Sequence, residues 1–230
     1  MIAPTYHHDV CQGTEEWLQL RTGLITASEI KLLMTPTLKP ANNDKSRSHL
    51  YELAAQRISN YTEPSFVSED MMRGWSDEVL ARQAYAEHYA PVVECGIVTR
   101  QIGGELVGYS PDALVGEDGL IECKSRRQKY QIKTICDATV PEEYMLQIQT
   151  GLLITGRKWL DFISYCGGLP MVVIRVYPDA KMQGAIIETI QAAGETIRAL
   201  IETYESTLAT HPAWPETERV IEKEMPSWAV

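Results

Sequence analysis

Ser110-Pro111-Asp112-Ala113-Leu114-Val115-Gly116-Glu117-Asp118-Gly119-Leu120-Ile121-Glu122-Cys123-Lys124 is the stretch on which the fold turns. Two short apolar runs flank a Glu-Asp-Gly turn, a pattern that predicts a β-hairpin. Side chains alternate across a strand, so Glu122 and Lys124 share one face while Ile121 and Cys123 point the other way, into the core. The hairpin brings Asp112 back beside Glu122. N-terminal to it, residues 92–98 and 105–109 are also β-like and are separated by Gly103-Gly104. Residues 92–124 therefore read as an antiparallel meander.

Helices are expected on both sides of this meander. Residues 13–21 form a short capped helix with Thr14 as N-cap and acids in its first turn. Thr26 followed three positions later by Glu29, then Ile30, Leu32 and Leu33, matches a capping box and predicts a helix opening at Thr26. Residues 36–46 read as loop and 48–58 as helix. In residues 74–89, Trp75, Val79, Leu80 and Tyr85 recur at helical intervals and predict a longer amphipathic helix. C-terminal to the meander come helices over 128–137 and from about 141, strands over 159–165 and 171–177, and a long helix over 180–208. The class is α/β, with a mixed central β-sheet flanked by helices. A single domain spans residues 1–230, with a core of about 13–208 and an acidic tail of about 209–230.

The 230 residues carry 21 Lys+Arg against 31 Asp+Glu, a formal charge of −10, and 44% are hydrophobic. These are ordinary globular values, unlike those of a disordered chain or a disulfide scaffold. No apolar run approaches the ~20 residues of a membrane span. Residues 1–9 show no secretory pattern, so the protein reads as cytosolic. Five cysteines at no metal-binding or redox spacing read as buried free thiols, and a zinc site is not expected. The charge is uneven: residues 188–230 hold eight acids and three bases, whereas residues 120–133 hold five bases and one acid. A basic island thus lies inside an acidic protein, and on charge alone it reads as a solvated face.

Two readings of Asp112, Glu122 and Lys124 stand side by side. In one, Glu122 and Lys124 form a surface strand pair of under about 1 kcal/mol. In the other, two carboxylates bind a hard divalent cation, and the lysine holds or deprotonates a water at that ion. The second is metal-dependent hydrolysis of a phosphodiester.

Further residues favour the second. Glu16-Trp17-Leu18-Gln19-Leu20-Arg21-Thr22-Gly23-Leu24-Ile25-Thr26-Ala27-Ser28-Glu29 stands ahead of the Ser-Pro-Asp and Glu-x-Lys core. Together they resemble the PD-(D/E)xK nuclease superfamily and, within it, the phage lambda exonuclease family of viral recombination nucleases, the YqaJ-like proteins. The resemblance runs over residues 13–208. It implies a restriction-endonuclease-like core and a Mg²⁺-dependent 5′→3′ double-strand DNA exonuclease that releases mononucleotides and leaves 3′ overhangs. It further implies two Mg²⁺ ions, with Mn²⁺ as a substitute, a toroidal homotrimer on double-stranded DNA ends, a single-strand annealing protein as partner, and the cytoplasm of a bacterial host carrying a phage or prophage.

Residue by residue, the resemblance makes Asp112, Glu122, Lys124 and Gln147 catalytic. Asp112, Glu122, the Cys123 backbone carbonyl and Glu78 become metal ligands, and Arg21, Ser28 and Ser110 hold the 5′-phosphate. Glu78 is reached through Gly74-x-x-x-Glu78, and Gln147 through Tyr144-x-x-Gln147-x-Gln149. Independently of the family, a helix N-terminus at residues 26–28 would present free N–H groups to an anion, and Arg21 would add a forked guanidinium. Trp17 reads as a core anchor, Glu143 and Tyr144 as residues orienting their helix, and Met71 and Met72 as strand-separating candidates. The chain departs from the family pattern at Ala113, where glycine is frequent, and at Ser125-Arg126-Arg127, which suggests a more basic DNA-facing edge. Cys166 alone cannot support an iron–sulfur cluster. A restriction-type endonuclease and a non-catalytic DNA-end-binding module are the alternatives, the latter weakened because Asp112, Glu122 and Lys124 are all present.

Overall fold

The computed structural model describes residues 2–64 and 68–219. Its strands form two four-stranded sheets flanked by helices. In the first sheet, β1 (Thr5–His7), β2 (Ile25–Thr26), β3 (Ile97–Ile102) and β4 (Glu105–Tyr109) take the order β1-β3-β4-β2. In the second, β5 (Ala113–Val115), β6 (Gly119–Ser125), β7 (Trp159–Tyr165) and β8 (Val172–Val176) lie in sequence order. Both sheets are mixed: β2 runs parallel to β4, and β6 parallel to β7.

The expected meander is broken between β4 and β5. Each half is an antiparallel pair, but Ser110-Pro111-Asp112 carries the chain from one sheet to the other. Proline has no N–H to continue a ladder, which suits this crossing point. Residues 92–93 also fall outside a strand, contributing only a single bridge from Val93 to Leu114.

The helices are α1 (Glu15–Arg21), α2 (Ile30–Leu33), α3 (Asp44–Ser59), α4 (Glu69–His88), α5 (Gln128–Asp137), α6 (Glu142–Thr155) and α7 (Ala180–Thr210). Thr14 caps α1 as expected, accepting a hydrogen bond from the Trp17 N–H, an interaction typically worth about 1 kcal/mol. The helix expected at Thr26 does not start there. Thr26 is a β2 residue paired with Gly108, and the Ala27 N–H donates to the Gly108 carbonyl at 2.9 Å. The Thr26 hydroxyl does reach Glu29 Oε2 at 2.5 Å, but α2 begins at Ile30 and spans four residues. The signature is local, and long-range strand pairing overrides it.

Two apolar layers cover the second sheet. Leu114, Leu120, Leu160 and Phe162 join the larger core, which also holds Ile148 and Leu152 of α6 and Ile186 and Ile190 of α7. Ala113, Ile121, Cys123 and Ile163 point the opposite way, against Ala81 and Tyr85 of α4. This alternation sends Glu122 and Lys124 toward α6. On α4 the expected stripe is only partly buried: Tyr85 is covered, while Trp75, Val79 and Leu80 are exposed. Of the cysteines, Cys95, Cys123 and Cys166 are buried, but Cys11 and Cys136 are exposed, against expectation. Within the expected tail, Arg219 stacks on Tyr61 at 3.8 Å, and residues 220–230 lie outside the described residues. No helix among the described residues is long and apolar enough to cross a membrane.

Candidate active site

The site forms where the chain passes between the sheets. Strand pairing of β5 with β6 ends at Ala113 and Ile121, so Asp112 lies next to Glu122 by continuation of the register. The Cys123 N–H, beyond the end of the ladder, donates to Asp112 Oδ2 instead. A strand residue projects its N–H and C=O along the same edge, so the Cys123 carbonyl also leaves toward Asp112. Three donors hold Glu122: Lys124 Nζ at 2.7 Å and Gln147 Nε2 at 2.6 Å on Oε1, and the Tyr109 hydroxyl at 2.7 Å on Oε2. Tyr109 packs on Gly151 of α6, where a Cβ would lie 2.8 Å from its ring. That close approach lets the phenol reach Glu122 beneath α6.

Acids outnumber nearby cations in this site. Asp112 and Glu122 are buried, at 8% and 2% exposure. Burial, followed by the Glu122 and Glu78 charges, pushes the Asp112 pKa well above the carboxylate range. Glu78 is raised by burial, although Arg82 opposes the shift. For Lys124, burial would lower the pKa, but the Glu122 and Asp112 charges and the hydrogen bond to Glu122 outweigh it and raise it above an ordinary ammonium. Arg82 clamps Glu78 at 2.5 Å and donates to the Asp112 carbonyl at 3.2 Å.

These oxygen donors suit a hard divalent cation, and relief of like-charge crowding would favour its binding. Among the described residues, no three His, Cys, Asp or Glu side chains converge as a ligand cluster. Magnesium does not require one, since it usually takes one or two carboxylates and keeps several waters. The donor set therefore fits Mg²⁺.

Of the three expected phosphate residues, Arg21 and Ser110 lie beside Trp17. Its Nε1 donates to Ser110 Oγ at 2.9 Å and to the Gly96 carbonyl at 3.1 Å, and the Arg21 guanidinium stacks 4.4 Å from its ring. Trp17 is half-buried and links these residues, rather than acting as the core anchor expected from sequence. Gly23 turns the chain after Arg21 at φ +71°, and a Cβ there would meet Arg57 at 2.7 Å. Ser28 Oγ lies 3.2 Å from Thr26 Oγ1. The free helix N-terminus expected at residues 26–28 is absent, because the Ala27 and Glu29 N–H groups both have backbone partners.

Sequence reading missed Tyr109 and Arg82. Tyr109 directly precedes Ser110-Pro111-Asp112, but its role depends on the packing of α6. Arg82 stands four residues after Glu78, the spacing of a helical ion pair, which could have identified it. The basic island is largely paired within the chain: Arg126 with Glu143 at 2.9 Å, Arg127 with Asp70 at 3.0 Å and Lys133 with Asp137 at 2.5 Å. Arg126 also reaches Tyr144, whose ring lies 5.5 Å from Lys124 Nζ. Glu143 and Tyr144 thus tie the start of α6 to the end of β6.

Residues 16–158 match the YqaJ-like viral recombinase domain. The chain belongs to the YqaJ-like viral recombinase family. An alkaline exonuclease of Laribacter hongkongensis is 33% identical, with 86% of this chain and 100% of that one covered and a TM-score of 0.76. The structure of that enzyme in complex with dAMP gives 0.77 at the same identity and coverage. A phage-related exonuclease from Haemophilus somnus 129PT shares the fold at 13% identity, with 79% of this chain and 96% of that one covered and a TM-score of 0.54. A search of curated proteins returns no match. This YqaJ-like chain therefore has the α/β class read from the hairpin and its flanking helices and the nuclease fold that the family resemblance implied.

Proposed function

We propose that this YqaJ-like protein is a Mg²⁺-dependent DNA exonuclease that enters duplex DNA at an end. It digests one strand 5′→3′ to mononucleotides and leaves a 3′ overhang for recombination by strand annealing. The carrying observation is that Lys124 and Gln147 meet on one oxygen of Glu122, beside Asp112, at the junction of the sheets. Family membership and the exonuclease relatives support the same class.

Asp112, Glu122 and the Cys123 carbonyl would hold two Mg²⁺ ions, or Mn²⁺ in their place, with Glu78 contributing at one of them. A metal held there would supply Lewis acidity toward a water and the phosphoryl oxygens. Tyr109 and Gln147 hold the Glu122 carboxylate in one orientation. Lys124, kept charged by the acids around it, orients the attacking water and offsets charge building on the phosphate. That favours orientation over proton abstraction, the other role considered for Lys124. Arg21, with Ser110 and Ser28, receives the 5′-phosphate through a guanidinium fork suited to bidentate contact.

The working form is a toroidal homotrimer in the cytoplasm of a bacterial host, with a single-strand annealing protein as partner. Enclosing the duplex accounts for how a chain of charge −10 can stay on DNA without a strong nonspecific Coulombic grip. The test is incubation of 5′-labelled linear duplex and closed circular duplex with Mg²⁺ or EDTA. Labelled mononucleotide from the linear form alone, and only with Mg²⁺, is expected. Nicking of the closed circle would instead assign a restriction-type endonuclease.

A further inference from the structure

A cavity of about 560 Å³ opens beside Asp112 and is bounded by residues 8–13, Trp17 of α1, α4 and residues 94–96. Helical spacing places Trp75, Glu78, Val79 and Arg82 of α4 along one wall. Trp75 is 57% exposed and Val79 is 44% exposed, so neither contributes a closed core. Trp17 also lines the cavity, pinned by Ser110 and Gly96 and carrying Arg21 on its ring.

The charges of this cavity select among the parts of a nucleotide. Glu94, which lines it and is exposed, repels a phosphodiester, whereas Asp112 and Glu78 at its other edge are the carboxylates that would hold metal and draw a phosphate there. Arg82, on the same wall, is already committed to Glu78 at 2.5 Å, Glu94 at 3.7 Å and the Asp112 carbonyl at 3.2 Å. A neutral aromatic group meets no such repulsion and finds two indoles. The volume is within the ordinary range of small-molecule sites, ~300–1,000 Å³.

We propose that this cavity is a nucleobase subsite, in which Trp75 stacks on an unpaired base while the adjoining phosphates lie at its edge, toward Arg21 and the carboxylates Asp112 and Glu78. This rests on the exonuclease reading and adds to it the group that fills the cavity. The base of the 5′-terminal nucleotide is the occupant best placed, because Trp17 separates the cavity from Arg21 by one ring. The facing base of the complementary strand offers the same chemistry.

The test compares wild type, Trp75→Ala and Trp75→Phe on 5′-phosphorylated linear duplex, with and without an abasic residue at the 5′ terminus or at the facing 3′ position. Trp75 is exposed, so the variants should fold, and their melting curves check this. Trp75→Ala is expected to slow digestion of normal duplex about tenfold, as loss of an ordinary base-on-aromatic stack predicts, and Trp75→Phe to retain most activity. With the 5′-abasic duplex, wild type should slow by a similar factor and Trp75→Ala should lose nothing further. The same coupling at the 3′ abasic position would keep the nucleobase site and assign it to the complementary strand. An unchanged Trp75→Ala rate, or an equal loss on all three duplexes, would overturn the proposal. Failure of wild type to digest normal duplex would instead remove the exonuclease reading beneath it.

Discussion

Two buried carboxylates on opposite faces of the second sheet are built from the same unit and completed differently. On the α6 face, Tyr109 donates to Glu122 at 2.7 Å; on the α4 face, Tyr85 donates to Asp161, also at 2.7 Å. Arg175 opposite Asp161 in the strand register completes that cluster with two bonds of 2.8 Å. Glu122 has a single lysine, which also faces Asp112, and Glu78 lies in the same field. Glu105, the buried first residue of β4, resembles Asp161 in being paired by arginine, here Arg57 and Arg198. Asp161 and Glu105, each closed by arginine, hold the fold, whereas Glu78 shares Arg82 with Glu94. The acids left short of positive charge mark the place where a cation can add.

The largest break in this comparison comes from Lys124. Lys124→Ala is expected to cut the digestion rate by roughly 10²–10⁴, the range for loss of a positioned group at a reacting centre. Gel-shift binding of duplex in Ca²⁺ should persist. Wild-type digestion by this variant would show that Lys124 is only a strand-face partner of Glu122. The equivalent cut on the other face, Asp161→Ala, should leave the rate within about twofold below the melting range and cost about 3 kcal/mol in denaturant. This is the low end for a broken buried ion pair, because Arg175 is half-exposed and can return to water.

Asp112→Asn should have the opposite sign. It relieves crowding with Glu122 and Glu78, and the amide oxygen can still accept from the Cys123 N–H. In EDTA the variant should be more stable by about 1 kcal/mol while losing cleavage, the trade expected where function requires a strained site. The pH dependence has a defined direction. The raised pKa makes the folded chain hold this proton after the unfolded chain has released it, so Asp112's contribution to stability falls as pH rises from about 4 through the folded value. Asp112→Asn should remove that decline, which urea titrations in EDTA across acid to neutral pH would measure. Lower stability in Asp112→Asn at neutral pH would mean that the carboxylate is compensated after all.

What was legible in the sequence follows from which interactions are local. The alternation of residues 120–124 placed Glu122 and Lys124 on one face and Cys123 on the other, because a strand's period is independent of its neighbours. Asp112 followed from the hairpin, and the Thr14 cap from its own turn. Thr26 shows the opposite case: its capping-box pattern was present, yet pairing to Gly108, 82 positions away, made it a strand residue. Trp75 and Val79 had helical spacing but were left uncovered, since periodicity identifies a face without saying what packs on it. Neither the Tyr109 bond to Glu122 nor the contrast between Arg175 and Lys124 could be read without the contacts of α6 and β8.

The smallest expected effect separates the two tyrosines at alkaline pH. Burial, and then the hydrogen bond to Asp161, raises the Tyr85 pKa above the ordinary phenol value; burial and the Glu122 charge do the same to Tyr109. For each, the unfolded chain releases its proton near pH ~10 while the folded chain keeps it. The contribution of these two phenols to stability therefore holds below about pH 10 and declines as pH rises toward the folded values, by up to about 1.4 kcal/mol per pH unit for each. Tyr85→Phe should cost about 1 kcal/mol at neutral pH, the ordinary net worth of a hydrogen bond, without changing kcat. Above pH 10 its stability should decline less steeply than that of wild type, by up to about 1.4 kcal/mol per pH unit, while Tyr109, Tyr144, the Cys95 and Cys123 thiols and Lys124, all raised in the folded chain, keep the rest of the decline. Tyr109→Phe should give the same shallower decline but also lower kcat, because Glu122 loses a donor that fixes its carboxylate. Denaturant midpoints between pH 9 and 11, read beside rates at neutral pH, separate the two variants. Equal kcat losses in both would end the distinction between the structural face and the reactive one.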